Sequence, residues 1–99
     1  SRELERQKVQ RSTGWRLEVL QRVPLQCRML DRSGQPLEGH LRVAFKRPAT
    51  RSQDQKLEPA SSQGLYQAAW QPVAGPWLVD FEFEREGQIF RNRQRWTMP

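Results

Sequence analysis

The chain has 99 residues, too few for a two-domain enzyme, and a chain this short buries roughly 60–70% of the surface its unfolded form exposes. Its 17 Lys and Arg against 11 Asp and Glu leave a net charge of +6, which points to an anionic partner: nucleic acid, a membrane surface or an acidic protein face. One cysteine excludes an internal disulfide or a zinc finger, and one histidine leaves little for metal or triad chemistry.

Residues 1–12 hold only Leu4 and Val9 as apolar positions, among Glu, Arg, Gln and Lys that favour helix by propensity. With no apolar face to dock, they read as a polar stem, and residues 13–99 as the folded domain. From Trp15 the period changes to two. Trp15, Leu17, Val19, Val23, Leu25, Cys27 and Met29 all take odd positions, the pattern of half-buried strands. Pro24 cannot donate to a ladder, so strands are expected near 14–20 and 23–31, with the odd side inward. Asp31 opens a turn that Gly34 closes.

Leu41, Val43 and Phe45 alternate next, with Arg42 and Lys46 outward, and Pro48 ends that strand. Residues 48–56 read as a polar loop. Leu57 is expected to start a short strand that Pro59 confines to an edge. Gly64 opens another, with Tyr66, Ala68 and Trp70 on one side. The last hairpin is the clearest signal. Trp77, Val79, Phe81 and Phe83 alternate with Leu78, Asp80, Glu82 and Glu84, and Gly87 can supply a positive φ at the turn. A turn centred on Glu86-Gly87 pairs Trp77 with Trp96 and Phe83 with Phe90 on one side. On the other it pairs Glu82 with Arg91 and Asp80 with Arg93. A one-residue slip would set apolar residues against charges. About seven short strands result, arguing for an all-β, antiparallel, two-sheet Ig-like sandwich, with a small closed barrel as the alternative.

No motif supports catalysis: His40 lies on the outward side of its strand, with no serine or aspartate placed to form a triad. Cys27 and Met29 share one strand face, and soft sulfur ligands suit Cu(I), but both hold inward positions where Cys and Met are ordinary core fillers. With His40 they are weak metal candidates, and a copper carrier using Cys27 and Met29 is an alternative function. The other alternative is a small basic nucleic-acid-binding β domain, because Arg91, Arg93 and Arg95 line one strand face beside Trp96 and such ladders can track phosphates and stack bases. Against it, Asp80 and Glu82 are expected to face Arg93 and Arg91, and no nucleic-acid partner is expected. The charge is also uneven: residues 1–51 carry 12 bases and 5 acids (+7), residues 52–84 carry 1 and 5 (−4), and residues 85–99 carry 4 and 1 (+3). The outward residues Arg16, Arg22, Arg28, Arg42 and Lys46 are therefore expected to form a basic face that docks a protein or lipid headgroups.

The order of these landmarks resembles the soluble domain of the FixH (CcoH) family over roughly residues 12–99. The similarity runs through Trp15, Asp31-x-x-Gly34-x-Pro36-Leu37-x-Gly39, Arg47-Pro48, Asp54-x-x-Leu57, Gly64-x-Tyr66, Gly75-x-Trp77-x-Val79 and Trp96. Arg47-Pro48-Ala49-Thr50 departs from the His-Pro-Thr common in the family, so a metal contact by that histidine does not carry over. The resemblance implies an N-terminal transmembrane anchor in the bacterial inner membrane, followed by a periplasmic sandwich. It also implies association with a copper-exporting P-type ATPase and with assembly of a cbb(3)-type cytochrome oxidase, whose subunits would be partners. No run of about 18 apolar residues occurs here and no signal peptide is visible. Starting at Ser1 and not Met, the sequence reads as a piece of a longer chain whose anchor has been removed, and residues 1–12 would be the stem outside the membrane.

Overall fold

Two four-stranded antiparallel sheets face each other in the computed structural model, which describes residues 13–49 and 54–99. The stem expected over residues 1–12 lies outside the described residues. The strands are β1 (Arg16–Gln21), β2 (Leu25–Leu30), β3 (His40–Lys46), β4 (Gln55–Leu57), β5 (Ala60–Ser62), β6 (Leu65–Ala68), β7 (Gly75–Arg85) and β8 (Gln88–Met98). One sheet runs β1-β2-β6-β5 and the other β4-β3-β7-β8. In immunoglobulin lettering these read A-B-E-D and C′-C-F-G. The barrel alternative fails because the two ladders are separate, each with two edges.

The inward faces carry the residues that the alternation marks. Leu25, Cys27 and Met29 of β2 meet Leu41, Val43 and Phe45 of β3 and Trp77, Val79, Phe81 and Phe83 of β7, all buried. Aromatic rings dominate one end of the core. Phe45 stacks on Trp70 with centroids 3.9 Å apart, and Trp77 meets Trp70 edge-on at 5.2 Å. Each buried indole N–H finds an acceptor: Trp70 Nε1 donates to the Arg22 carbonyl, Trp77 Nε1 to the Val73 carbonyl, and Trp96 Nε1 to Gln94 Oε1. That satisfaction lets an amphipathic ring sit in the interior without an orphaned donor.

The connection between the sheets is fixed by side chains. Asp31 Oδ1 accepts from the backbone N–H groups of Ser33 and Gln35, both at 2.9 Å. Those bonds hold its carboxyl below the usual aspartate range, the Gln35 N–H contributing most. Farther on, the buried Tyr66 hydroxyl donates to the Leu37 carbonyl and accepts from the Gly39 N–H, each at 2.9 Å. Burial raises the Tyr66 hydroxyl's pKa above the ordinary phenol value. Gly39 is required by close approach: a Cβ there would lie 2.6 Å from the Glu84 carbonyl oxygen and 2.7 Å from the Phe83 ring.

Three expectations are corrected. The described residues form eight strands where about seven were expected, because the segment around Pro59 makes two. Leu57 ends β4, which pairs with β3, and β5 pairs with β6 in the other sheet. The buried Pro59 sits between them, and lacking an N–H it cannot continue a ladder, so the chain changes sheets there. The predicted strand over 23–31 begins only at Leu25. Val23 is therefore not a core residue: it lies in the turn, 42% exposed, before Pro24, with which it forms a cis peptide. The polar loop expected over 48–56 gives way to β4 at Gln55.

Candidate docking face

The β7–β8 hairpin has the register that its sequence dictates. Trp77 faces Trp96, Asp80 faces Arg93, Glu82 faces Arg91 and Phe83 faces Phe90. Glu86 and Gly87 both have positive φ, 52° and 77°, as a two-residue type I′ turn requires. On its other side β7 pairs with β3, setting Arg42 opposite Glu82 and His40 opposite Glu84. An acidic strand thus lies between two basic ones on the outward face.

Each central acid serves two cations. Asp80 meets Arg93 Nε at 2.6 Å and Lys46 Nζ at 3.2 Å; Glu82 meets Arg42 Nη1 at 3.0 Å and Arg91 Nε at 3.2 Å. The Arg93 hydrogen bond is the main cause holding the Asp80 carboxyl below its usual range, with Lys46 adding to it. The same bond raises Arg93. Ala44 sits between Lys56 and Asp80 in register. Its short side chain leaves an open hollow of about 880 Å³, walled by Arg42, Lys46, Lys56, Glu58, Arg91 and Arg93. Lys56 and Arg95 have no ion-pair partner among the described residues. The face can therefore offer Lys56 and the exposed flanks of Arg91, Arg93 and Arg95 to an acidic surface.

The five residues expected to form one basic face are divided between the two sheets. Arg42 and Lys46 stand on the face just described. Arg16 and Arg28 stand on the outward side of β1-β2, where Arg28 Nε bonds Glu18 Oε1 at 3.1 Å. Arg22 lies in the β1–β2 turn with its guanidinium 4.9 Å from the centroid of the Trp96 ring. Sequence reasoning passed over Lys56, Glu58 and Ala44. The signal for them was the complementarity of Arg42 and Lys46 to the alternating acids of β7, which would have paired β3 with β7 as well.

The metal candidates do not converge. Cys27 and Met29 are both 0% exposed in the core, and burial pushes the Cys27 thiol up to about 12, which keeps it protonated and a poor metal ligand. His40 is on the outward face of the other sheet, its Nε2 2.6 Å from Glu58 Oε1. No group of three or more His, Cys, Asp or Glu side chains capable of holding a metal occurs among the described residues. Arg47 grips the loop before β7. Its Nη1 donates to the Val73 and Ala74 carbonyls at 3.3 and 3.0 Å, and its guanidinium lies 4.9 Å from the centroid of the Trp77 ring. The nucleic-acid reading also lacks its stacking partner: Trp96 is 2% exposed and points inward, opposite the arginine ladder.

The described residues thus form a two-layer antiparallel sandwich with one outer face charged and hollowed. The chain belongs to the FixH family: the family model matches residues 1–97, and FixH is not a known enzyme family. No curated protein and no solved structure matches the chain. No helix among the described residues is long and apolar enough to cross a membrane.

Proposed function

We propose that this is the non-enzymatic docking domain of a membrane-anchored FixH protein, acting in assembly of a cbb(3)-type cytochrome oxidase alongside a copper-transporting P-type ATPase. The family match across residues 1–97 carries this reading. The charged outer face of β4-β3-β7-β8 supplies a surface for it: acids shared between two basic strands hold Arg42, Lys46, Arg91 and Arg93 in place, and Lys56 and Arg95 add cations without an ion-pair partner among the described residues. The domain stands in the periplasm, tethered to the bacterial inner membrane by a segment preceding Ser1, and docks to oxidase subunits or to the pump. It has no catalytic or copper-ligating task of its own.

The test uses the full-length protein in its own cell. Replacing Arg42 and Lys46 by Gln, which leaves Glu82 and Asp80 paired with Arg91 and Arg93, should leave the protein folded and abundant, while its co-purification with oxidase subunits or the ATPase, and the level of assembled oxidase, fall about tenfold, a loss near 1.4 kcal/mol. Assembled oxidase at wild-type levels in a strain lacking the protein would overturn the assembly role. A periplasm-dependent reporter fused after Pro99 tests the placement, and its inactivity would overturn that part.

A further inference from the structure

The free edge of β8 is unlike the other three edges of the sandwich. β4 and β5 are three residues each, and β1 has six with an irregularity between Val19 and Gln21. Short or bulged edges resist pairing with another chain. β8 has eleven residues, keeps an unbroken register with β7, and pairs with no described strand on its other side.

The turn fixes which backbone groups are free. In a two-residue hairpin the flanking residues, here Arg85 and Gln88, form a hydrogen-bonded pair, and bonded and non-bonded pairs alternate from there. Asn92 and Gln94 therefore bond to β7. Arg91, Arg93 and Arg95 turn their N–H and C=O groups to the open edge, and their side chains stand together on the outward face.

We propose that β8 accepts an extended segment of another protein as an added strand, one with acidic residues at alternate positions facing Arg91, Arg93 and Arg95. Main-chain bonds to the edge give affinity, and the arginine row gives register and choice of partner. A second copy of this chain is disfavoured as the occupant. An antiparallel β8–β8 pairing centred on Arg93 sets Arg93 against Arg93 and Arg91 against Arg95. Shifting by two residues sets Arg91 against Arg93, and like charges directly opposite destabilise a sheet. Asp80 and Glu82 hold two of these arginines in place, and Arg95, opposite Leu78, has no acid among the described residues. The inference rests on the docking reading for its biological setting, although the edge geometry stands without it.

The probe is a peptide alternating Glu with Val, compared with its Lys counterpart, added to the chain while amide hydrogen exchange is followed by NMR. With the Glu peptide, exchange at Arg91, Arg93 and Arg95 should slow about tenfold, because these N–H groups gain ladder bonds. The effect should fade as salt rises. The Lys peptide should give no protection. Arg95→Glu should weaken the Glu peptide about tenfold by placing a like charge opposite it, with Asn92 and Gln94 still protected as proof that the hairpin is intact. Equal protection by both peptides, protection by neither, or a stable dimer that the Glu peptide does not dissociate would each overturn the proposal. A chain that binds the Glu peptide yet co-purifies with no oxidase subunit or pump upholds the edge and overturns the docking reading; the converse result overturns the edge alone.

Discussion

The outer faces of the two sheets are built by different rules. On β1-β2-β6-β5 the charged pair Glu18–Arg28 lies within one hairpin, each side chain matched to one partner. Beside it Gln26 faces Gln67, two neutral amides. On β4-β3-β7-β8 the acids of a central strand are shared between cations of both neighbours: Glu82 lies 40 residues from Arg42 and 9 from Arg91.

 The shared network matches Arg42, Lys46, Arg91 and Arg93 with Glu58, Asp80, Glu82 and Glu84, and the positive excess on that face is Lys56 and Arg95, which have no ion-pair partner among the described residues. Under the proposed docking role, the second face is the one presented to a partner.

The strongest way to break that contrast is to remove what both sheets share. Phe45→Ala deletes the ring that β3 stacks on Trp70 and should cost about 3–5 kcal/mol. Both outer faces should be lost in one urea transition, and two separate transitions would mean that the sheets are independent. Next comes the link between them. Tyr66→Phe keeps the ring but strands the Gly39 N–H and the Leu37 carbonyl, for about 1–3 kcal/mol, read from the same unfolding curves.

Smaller effects sharpen the contrast between shared and matched charges. Asp80→Asn leaves both Lys46 and Arg93 without a full partner and should cost about 1 kcal/mol. The pH dependence follows from sign. The folded carboxyl of Asp80 is held below its unfolded value, so its contribution is present above the ordinary aspartate pKa and is lost as pH falls through the folded one. Wild-type stability should therefore decline on acidification below about pH 4 more steeply than that of the Asn variant, and parallel curves would refute the assignment. Smallest of all, Glu18→Gln on the opposite face should cost about 0.2–1 kcal/mol and leave co-purification with any partner unchanged. A loss of co-purification there as large as that from replacing Arg42 and Lys46 by Gln would erase the distinction between the faces.

The sequence was most legible where contacts are local. The β7–β8 register follows from alternation on both sides of a two-residue turn, and it could be read down to Trp77 against Trp96. Alternation also separated inside from outside at Cys27, Met29, Leu41 and Phe45. It could not say which of two outsides a residue joins, so Arg16 and Arg28 were grouped with Arg42 and Lys46 although they stand on opposite sheets. Pro59 marked an edge correctly in kind, but the change of sheets depends on pairings with β3 and β6 that no local pattern encodes. The shared acids were half visible, because one of their two partner strands is adjacent in sequence and the other is not.

The placement of β7 between β3 and β8 has a consequence for the chain while it is being made. β3 comes early in chain order, yet its long partner β7 begins only at Gly75. At about 5–20 residues per second of synthesis, Leu41, Val43 and Phe45 wait on the order of seconds with an apolar, β-prone segment uncovered. Arg42 and Lys46 interrupt that segment with like charge, the device by which sequences discourage exposed strands from aggregating. The same two cations that face the acids of the finished sheet thus guard the unfinished one.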